Sequence, residues 1–177
     1  MKQNIPRLAL IVAGFAISTP LSSCAQDIHK SQLASVSQMI GTARIEIIYR
    51  RPVARGRNLF GSLVDWGKLW SPSADSAAVF STTKDLAIAG SKLPAGKYSL
   101  WAIPDKENWT IVFSSATPAF HLRYTEGKDV LRVKAKPRNG DHMETLAFYF
   151  PMVDADSAEL NLHWGKTVVP MAIKASQ

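Results

Sequence analysis

The sequence predicts an all-β protein, an antiparallel β-sandwich of the jelly-roll or immunoglobulin-like kind. Three observations lead there. Short runs alternating apolar and polar residues recur from Ala34 almost to the C-terminus. Turn residues separate them: Gly41-Thr42, Gly90-Ser91, Pro94-Ala95-Gly96 and Pro104–Asn108. No apolar pattern of helical period persists long enough for a regular helix, Asn58–Trp70 being the one segment where a short helix or an Ω-like loop is expected.

Taken in order, Ala34–Ile40 is the first run, followed by the Gly41-Thr42 turn and Ala43–Arg50. In the second run Ile45, Ile47 and Tyr49 share a dry face, while Arg44, Glu46 and Arg50 share the wet one. Ala77–Thr83 and Leu86–Ala89 are the next two strands. Tyr98–Ile103 and Trp109–Phe113 read as a hairpin, with Ile103 opposite Trp109, Trp101 opposite Ile111 and Ser99 opposite Phe113. That register puts Ile103, Trp101, Trp109, Ile111 and Phe113 together on one core face. Val130–Lys136 turns Leu131, Val133 and Ala135 inward and leaves Arg132, Lys134 and Lys136 as a positive stripe. Thr145–Phe150 directs Leu146, Phe148 and Phe150 inward, Ala158–Trp164 directs Leu160, Leu162 and Trp164 inward, and Val168–Ile173 closes the series.

Residues 1–23 read as a signal peptide. Lys2 and Arg7 form its basic end, and Leu8–Ile17 is an apolar run too short to span a bilayer core, which takes about 20 residues. Leu21-Ser22-Ser23-Cys24 resembles a bacterial lipobox, which makes Cys24 the expected lipid-bearing N-terminus. Cutting after Ala25 is the competing outcome and would release a soluble secreted domain. The expected organisation is a leader over 1–23, a polar tether over 24–34 and one sandwich domain over 35–175. By the analogy of enterobacterial sorting, Ala25 after the cysteine favours the outer membrane, facing the periplasm or the surface.

Of the 177 residues, 154 remain after the leader, enough for a real core without disulfides, and Cys24 is the only cysteine. Lys2 and Arg7 aside, 19 basic residues stand against 14 acidic ones, a net charge of +5. That balance suits acidic partners such as lipid headgroups or anionic glycans, and it also serves plain solubility. Nucleic acid is not an expected partner, because no aromatic residues interleave with the Arg132, Lys134 and Lys136 stripe and the chain is exported.

Five segments, Tyr49-Arg50-Arg51-Pro52, Arg55-Gly56-Arg57, Gly61-Ser62-Leu63-Val64, Gly67-Lys68-Leu69-Trp70 and Leu93-Pro94-Ala95-Gly96-Lys97-Tyr98-Ser99-Leu100, together resemble the bacterial secreted family known as domain of unknown function 2911. Asp129-Val130-Leu131-Arg132-Val133 and Trp164-Gly165-Lys166-Thr167 are similar to its later part, so the likeness covers roughly 35–174. It implies an exported β-rich domain, often with a lipoprotein leader, and it implies no activity. After the position of Trp70 the family typically reads Arg-x-Gly-Ala-Asn-Glu-Ala-Thr. Here Ser71–Ala78 keeps only Ala74 and Ala77 of that stretch. If those polar residues are the family's site, this chain is a divergent member.

Candidate ligand contacts concentrate in the irregular 50–76 region. Arg51, Arg55 and Arg57, with Arg50, form the densest basic cluster, and guanidinium groups recognise carboxylate or phosphate bidentately. The plainer reading is a solvated loop in which an arginine pairs internally. Trp66 and Trp70 lie next to Asp65 and Lys68 in the irregular segment, where rings can stack on a sugar, and Asp75 is a further candidate contact, whereas strand parity sends the other tryptophans to the core. His29, His121, His142 and His163 show no metal spacing, and neither a metal nor a cofactor is expected. No Gly-x-Ser-x-Gly elbow occurs, and no catalytic residue is nominated. The preferred role is a non-catalytic binding or structural module for an anionic small molecule, a glycan or an envelope protein. The rival is a hydrolase with dispersed residues, for which a pocket joining Arg55 or Arg57 with Trp70, Asp75 and a histidine would speak.

Overall fold

The computed structural model describes residues 29–176; the leader and Cys24 lie outside the described residues. Ten strands are present: β1 (Gln32–Ile40), β2 (Ala43–Arg51), β3 (Ala78–Thr82), β4 (Leu86–Ile88), β5 (Ser91–Leu93), β6 (Gly96–Ile103), β7 (Trp109–Ser114), β8 (Asp129–Ala135), β9 (Arg138–Val153) and β10 (Ser157–Ala175). They form two antiparallel sheets, ordered β1-β2-β3-β6-β7-β8 and β5-β4-β10-β9. The larger sheet is a meander interrupted once, where β4 and β5 cross to the other layer. The described residues contain no helix.

The core lies between the layers. Ile45, Ile47 and Tyr49 of β2 face Leu146 and Phe148 of β9 and Leu160 and Leu162 of β10, as the alternation predicts. Tyr49 meets Phe148 edge-on at 4.9 Å, and its hydroxyl oxygen accepts the Phe148 N–H at 2.9 Å.

The strand β10 has 19 residues, which at about 3.3 Å per residue would extend roughly 60 Å. Yet the Ala175 N–H donates to the Asp156 carbonyl at 2.8 Å. The segment therefore folds back on itself, and Gly165 sits at the middle of the path with φ +58°. A Cβ there would come within 2.8 Å of Leu59 Cδ1, so glycine serves both the backbone turn and the close approach of the 50–76 connection.

One strand register differs from expectation. Ile103 pairs with Thr110, Leu100 with Phe113 and Trp101 with Val112. The Asp105 carboxylate accepts the N–H groups of Glu107 and Asn108 at 2.9 and 3.2 Å, and the turn this closes takes up one more residue than the composition suggested. A slip of one residue reverses a strand's faces. Trp109, Ile111 and Phe113 keep their place in the core, joined by Leu100 and Ala102, but Trp101 turns to the opposite face. It is buried there all the same, under the 115–124 loop. Tyr124 meets its ring edge-on at 5.3 Å, and its indole N–H donates to Ser99 Oγ at 2.9 Å. Tyr124 in turn donates to Asp129, which also holds Arg132 at 2.6 Å, so part of the positive stripe is neutralised.

The segment Asn58–Trp70 forms an Ω-like loop rather than a helix. Gly61 (φ +88°) and Gly67 (φ +70°) are left-handed, which ends any helical run between them. Val64 N–H donates to the Leu59 carbonyl at 2.8 Å and Gly61 N–H to the Val64 carbonyl at 2.8 Å, closing the loop on itself while Leu59 and Val64 are buried.

Candidate functional site

The connection from β2 to β3 caps one end of the sandwich by touching both sheets. Leaving β2, the chain pairs with β9: the Pro52 carbonyl accepts from Leu146 N–H at 2.9 Å, and Ala54 N–H donates to the Glu144 carbonyl at 2.7 Å. It then crosses back to β6, where Trp70 and Ala102 exchange both backbone hydrogen bonds at 2.7 and 2.8 Å. Between these attachments Phe60 is the hub of an aromatic cluster. Its ring centre lies 6.1 Å from Trp66, 6.0 Å from Trp70, 4.9 Å from Trp109 and 6.2 Å from Trp164. Trp70 and Trp164 stack at 6.0 Å with planes 8° apart.

Ala54–Arg57 is a tight turn closed by Arg57 N–H to the Ala54 carbonyl at 3.1 Å, with Arg55 (φ +53°) and Gly56 (φ +67°) both left-handed. That is a type I′ turn, a place where a non-glycine residue costs on the order of 1 kcal/mol. The Glu144 carboxylate offsets the cost by accepting the Arg55 N–H at 2.5 Å, and its other oxygen meets His142 Nε2 at 2.8 Å. The His142 hydrogen bond, and after it the Arg55 N–H, hold the Glu144 carboxyl below its ordinary range. Lys92 and Ala95 N–H lower Asp85 in the same sense, and the Glu107 and Asn108 N–H groups lower Asp105. For groups depressed in the folded state, the stabilisation is complete above the unfolded values, 4.5 for Glu144 and 3.8 for the two aspartates. It is lost as pH falls through the lowered folded values. The thermal midpoint is therefore expected to hold steady from neutrality down to about pH 5 and to decline steadily below about pH 4. A melting series across that range checks this, and a midpoint that rises on acidification contradicts it.

A cleft of about 430 Å³ opens beside this turn. Arg55, Arg57, Lys30 and His121 border it, Trp70 and Trp164 with Val64 and Leu122 supply its apolar wall, and no carboxylate side chain lines it among the described residues. A smaller depression of about 340 Å³ adjoins it, bounded by Trp66, Phe60, His142 and Lys166 and sharing Arg57 and Trp164. It likewise has no acidic lining residue among the described residues.

Of the residues the sequence singles out, Arg55, Arg57 and Trp70 meet in the larger cleft and Trp66 lies in the adjoining one. Arg57 is partly occupied, since its guanidinium donates to the Ala54 and Val53 carbonyls at 2.8 and 2.6 Å. Arg51 does not line either cleft; its Nε donates to the Leu146 carbonyl at 2.9 Å and fastens β2 to β9. Asp75 does not line the cleft either, because its carboxylate pairs with His29 at 2.9 Å and Arg50 at 3.5 Å. His163 is buried, between the Tyr149 hydroxyl at 3.2 Å and the Asp141 carbonyl at 3.0 Å. The sequence reading missed Lys30, His121 and Trp164 as cleft residues. Trp164 is inward-facing as its parity requires, but the edge of a core ring can still wall a cleft at the sandwich end. A larger groove, about 630 Å³ and mainly apolar, lies where the two ends of β10 come together, along Met152, Val153 and Ala172. It lacks the converging cations and rings that fix a ligand's orientation.

A family model described as "Protein of unknown function (DUF2911)" matches residues 31–173. The chain belongs to this family. The match spans both sheets and the whole 50–76 connection, so the cleft, apart from Lys30 one residue ahead of the match, is built within the family domain. No curated protein and no solved structure matches the chain.

Proposed function

We propose that this DUF2911 protein is an exported, lipid-anchored envelope protein whose domain binds, without catalysis, an anionic small molecule or acidic glycan that presents a flat or apolar face. The observation that carries the reading is the composition of the cleft: cations at the rim, stacked tryptophans in the wall and no acid lining it among the described residues. Guanidinium and ammonium groups recognise a carboxylate or phosphate, and the rings take the apolar remainder. A dispersed hydrolytic site would want a carboxylate to orient His121. Asp75, whose backbone carbonyl accepts the His121 N–H at 3.3 Å, has its carboxylate engaged by Arg50 and His29 instead.

Lys30 and Ser31 line the cleft and His29 pairs with Asp75 at its edge. The six steps from Cys24 to Lys30 reach at most about 20 Å, so a lipid on Cys24 would keep the cleft near the membrane surface. Titration of the mature chain with phenyl phosphate and with a uronic-acid trisaccharide, followed by tryptophan fluorescence, tests the binding claim. Saturable binding that weakens with added salt is expected for at least one probe; none for either would refute it. The anchor has its own check. The mature chain should carry a lipid-sized mass increment and partition with membranes, and Cys24→Ser should lose both. A plain mass beginning at Gln26 would mean cleavage after Ala25 and a freely diffusing domain.

A further inference from the structure

We infer that β1 is a dimerisation edge, at which two copies of this chain pair antiparallel and join their six-stranded sheets into one of twelve strands. An open edge exposes a row of backbone donors and acceptors, and soluble β-proteins usually blunt it with charge, proline, bulges or shortness. Three of the four sheet edges here are blunted in those ways. The β5 edge is three residues long and carries Lys92. The β8 edge carries Asp129, Arg132 and Lys134. The β9 edge is interrupted by register shifts against β10 and carries charges along its first half.

The β1 edge has none of these protections. Gln32–Ile40 contains no charged residue, no proline and no glycine, and it pairs with β2 in unbroken register over its whole length. Its outward side chains include Leu33 and Met39, 61% and 51% exposed.

The occupant is a second copy because the strand is complementary to itself. Reversed about Val36, the sequence brings Leu33 opposite Met39, Ser35 opposite Ser37 and Val36 opposite itself. On the outward face a twofold axis through Val36 therefore matches apolar to apolar and hydroxyl to hydroxyl, while on the inward face Ala34 meets Gln38 and Gln32 meets Ile40. The absence of charge removes the repulsion that ordinarily prevents a strand from meeting its own image.

The test uses the chain carrying Cys24→Ser, so that no lipid drives association, and sedimentation equilibrium to read its mass. A dimer is expected, and Ser35→Lys with Ser37→Lys, which sets lysine opposite lysine at two cross-strand positions, should weaken it at least tenfold. Ser35→Glu with Ser37→Glu should do the same. Both pairs change exposed side chains, and circular dichroism checks that the sheets persist. Mixing the lysine and glutamate variants should restore the dimer, a result that unfolding cannot imitate. A wild-type monomer across the accessible concentration range overturns the proposal. So does a dimer indifferent to both pairs of substitutions, which would place the contact elsewhere, and so does a mixture that stays monomeric.

Discussion

Trp164→Ala is expected to cost about 3–5 kcal/mol of stability, a large loss for a core residue that also walls the cleft. The residue is 3% exposed, stacks on Trp70 and touches the edge of Phe60, and its indole N–H donates to the Glu144 carbonyl at 3.3 Å. Those contacts connect β10 to the 50–76 connection and, through Glu144, to the Arg55 turn. Removing the ring leaves a cavity between layers that cannot collapse, because Phe60 and Trp70 are held by Trp109 and by the backbone bridge to Ala102. Denaturant unfolding followed by circular dichroism measures the loss. Trp164→Phe should recover much of it, since stacking returns and only the indole hydrogen bond is missing. A loss below about 1 kcal/mol for Trp164→Ala would mean that the cluster does not hold the connection in place.

The second large effect falls on binding and spares the fold. Arg55→Asn keeps a residue that tolerates left-handed backbone at the type I′ turn, so the Glu144 hydrogen bond and the melting temperature should be retained. Lys30→Ala removes another rim cation that has no ion-pair partner among the described residues. A hydrogen bond to a charged group contributes roughly 1.5–3 kcal/mol, so each substitution should weaken an anionic probe by about tenfold or more. Arg51→Lys should leave affinity unchanged while lowering stability, because Arg51 serves the β2–β9 junction and not the cleft. Equal affinities across wild type, Arg55→Asn and Lys30→Ala would remove the rim from the account.

Much of this fold is legible from the chain because each half-buried strand shows its parity. Ile45, Ile47 and Tyr49, or Leu160, Leu162 and Trp164, can face only one way. The β6–β7 hairpin misleads because its faces are apolar on both sides: Leu100 and Ala102 fill the core while Trp101 and Val112 are covered by a loop. With no polar face, only the turn sets the register, and its length depends on the Asp105 hydrogen bonds rather than on composition. The fold-back of β10 is signalled by Gly165, at the break between the Ala158–Trp164 and Val168–Ile173 runs, which the structure joins into one bent strand.

The site was legible in part for a related reason. Arg55, Arg57 and Trp70 are marked by an arginine-rich turn and an irregular segment, whereas Lys30, His121 and Trp164 come from three separate places in the chain. They meet only because the 50–76 connection crosses the end of the sandwich between β9 and β6. Arg51 and Asp75 share the composition of the cluster but spend their hydrogen bonds holding it together.

The central claim is that an anion with a flat face binds where Trp70 and Trp164 stack. The five indole N–H groups give separate resonances in a nitrogen–proton correlation spectrum, one for each tryptophan. Titration with phenyl phosphate is expected to move the signals of Trp164 and Trp70 in a saturable way and to leave Trp101, covered on the far face of the sheet, where it is. Indole signals that all stay fixed, or that move no less in the Arg55→Asn and Lys30→Ala variants, would contradict it.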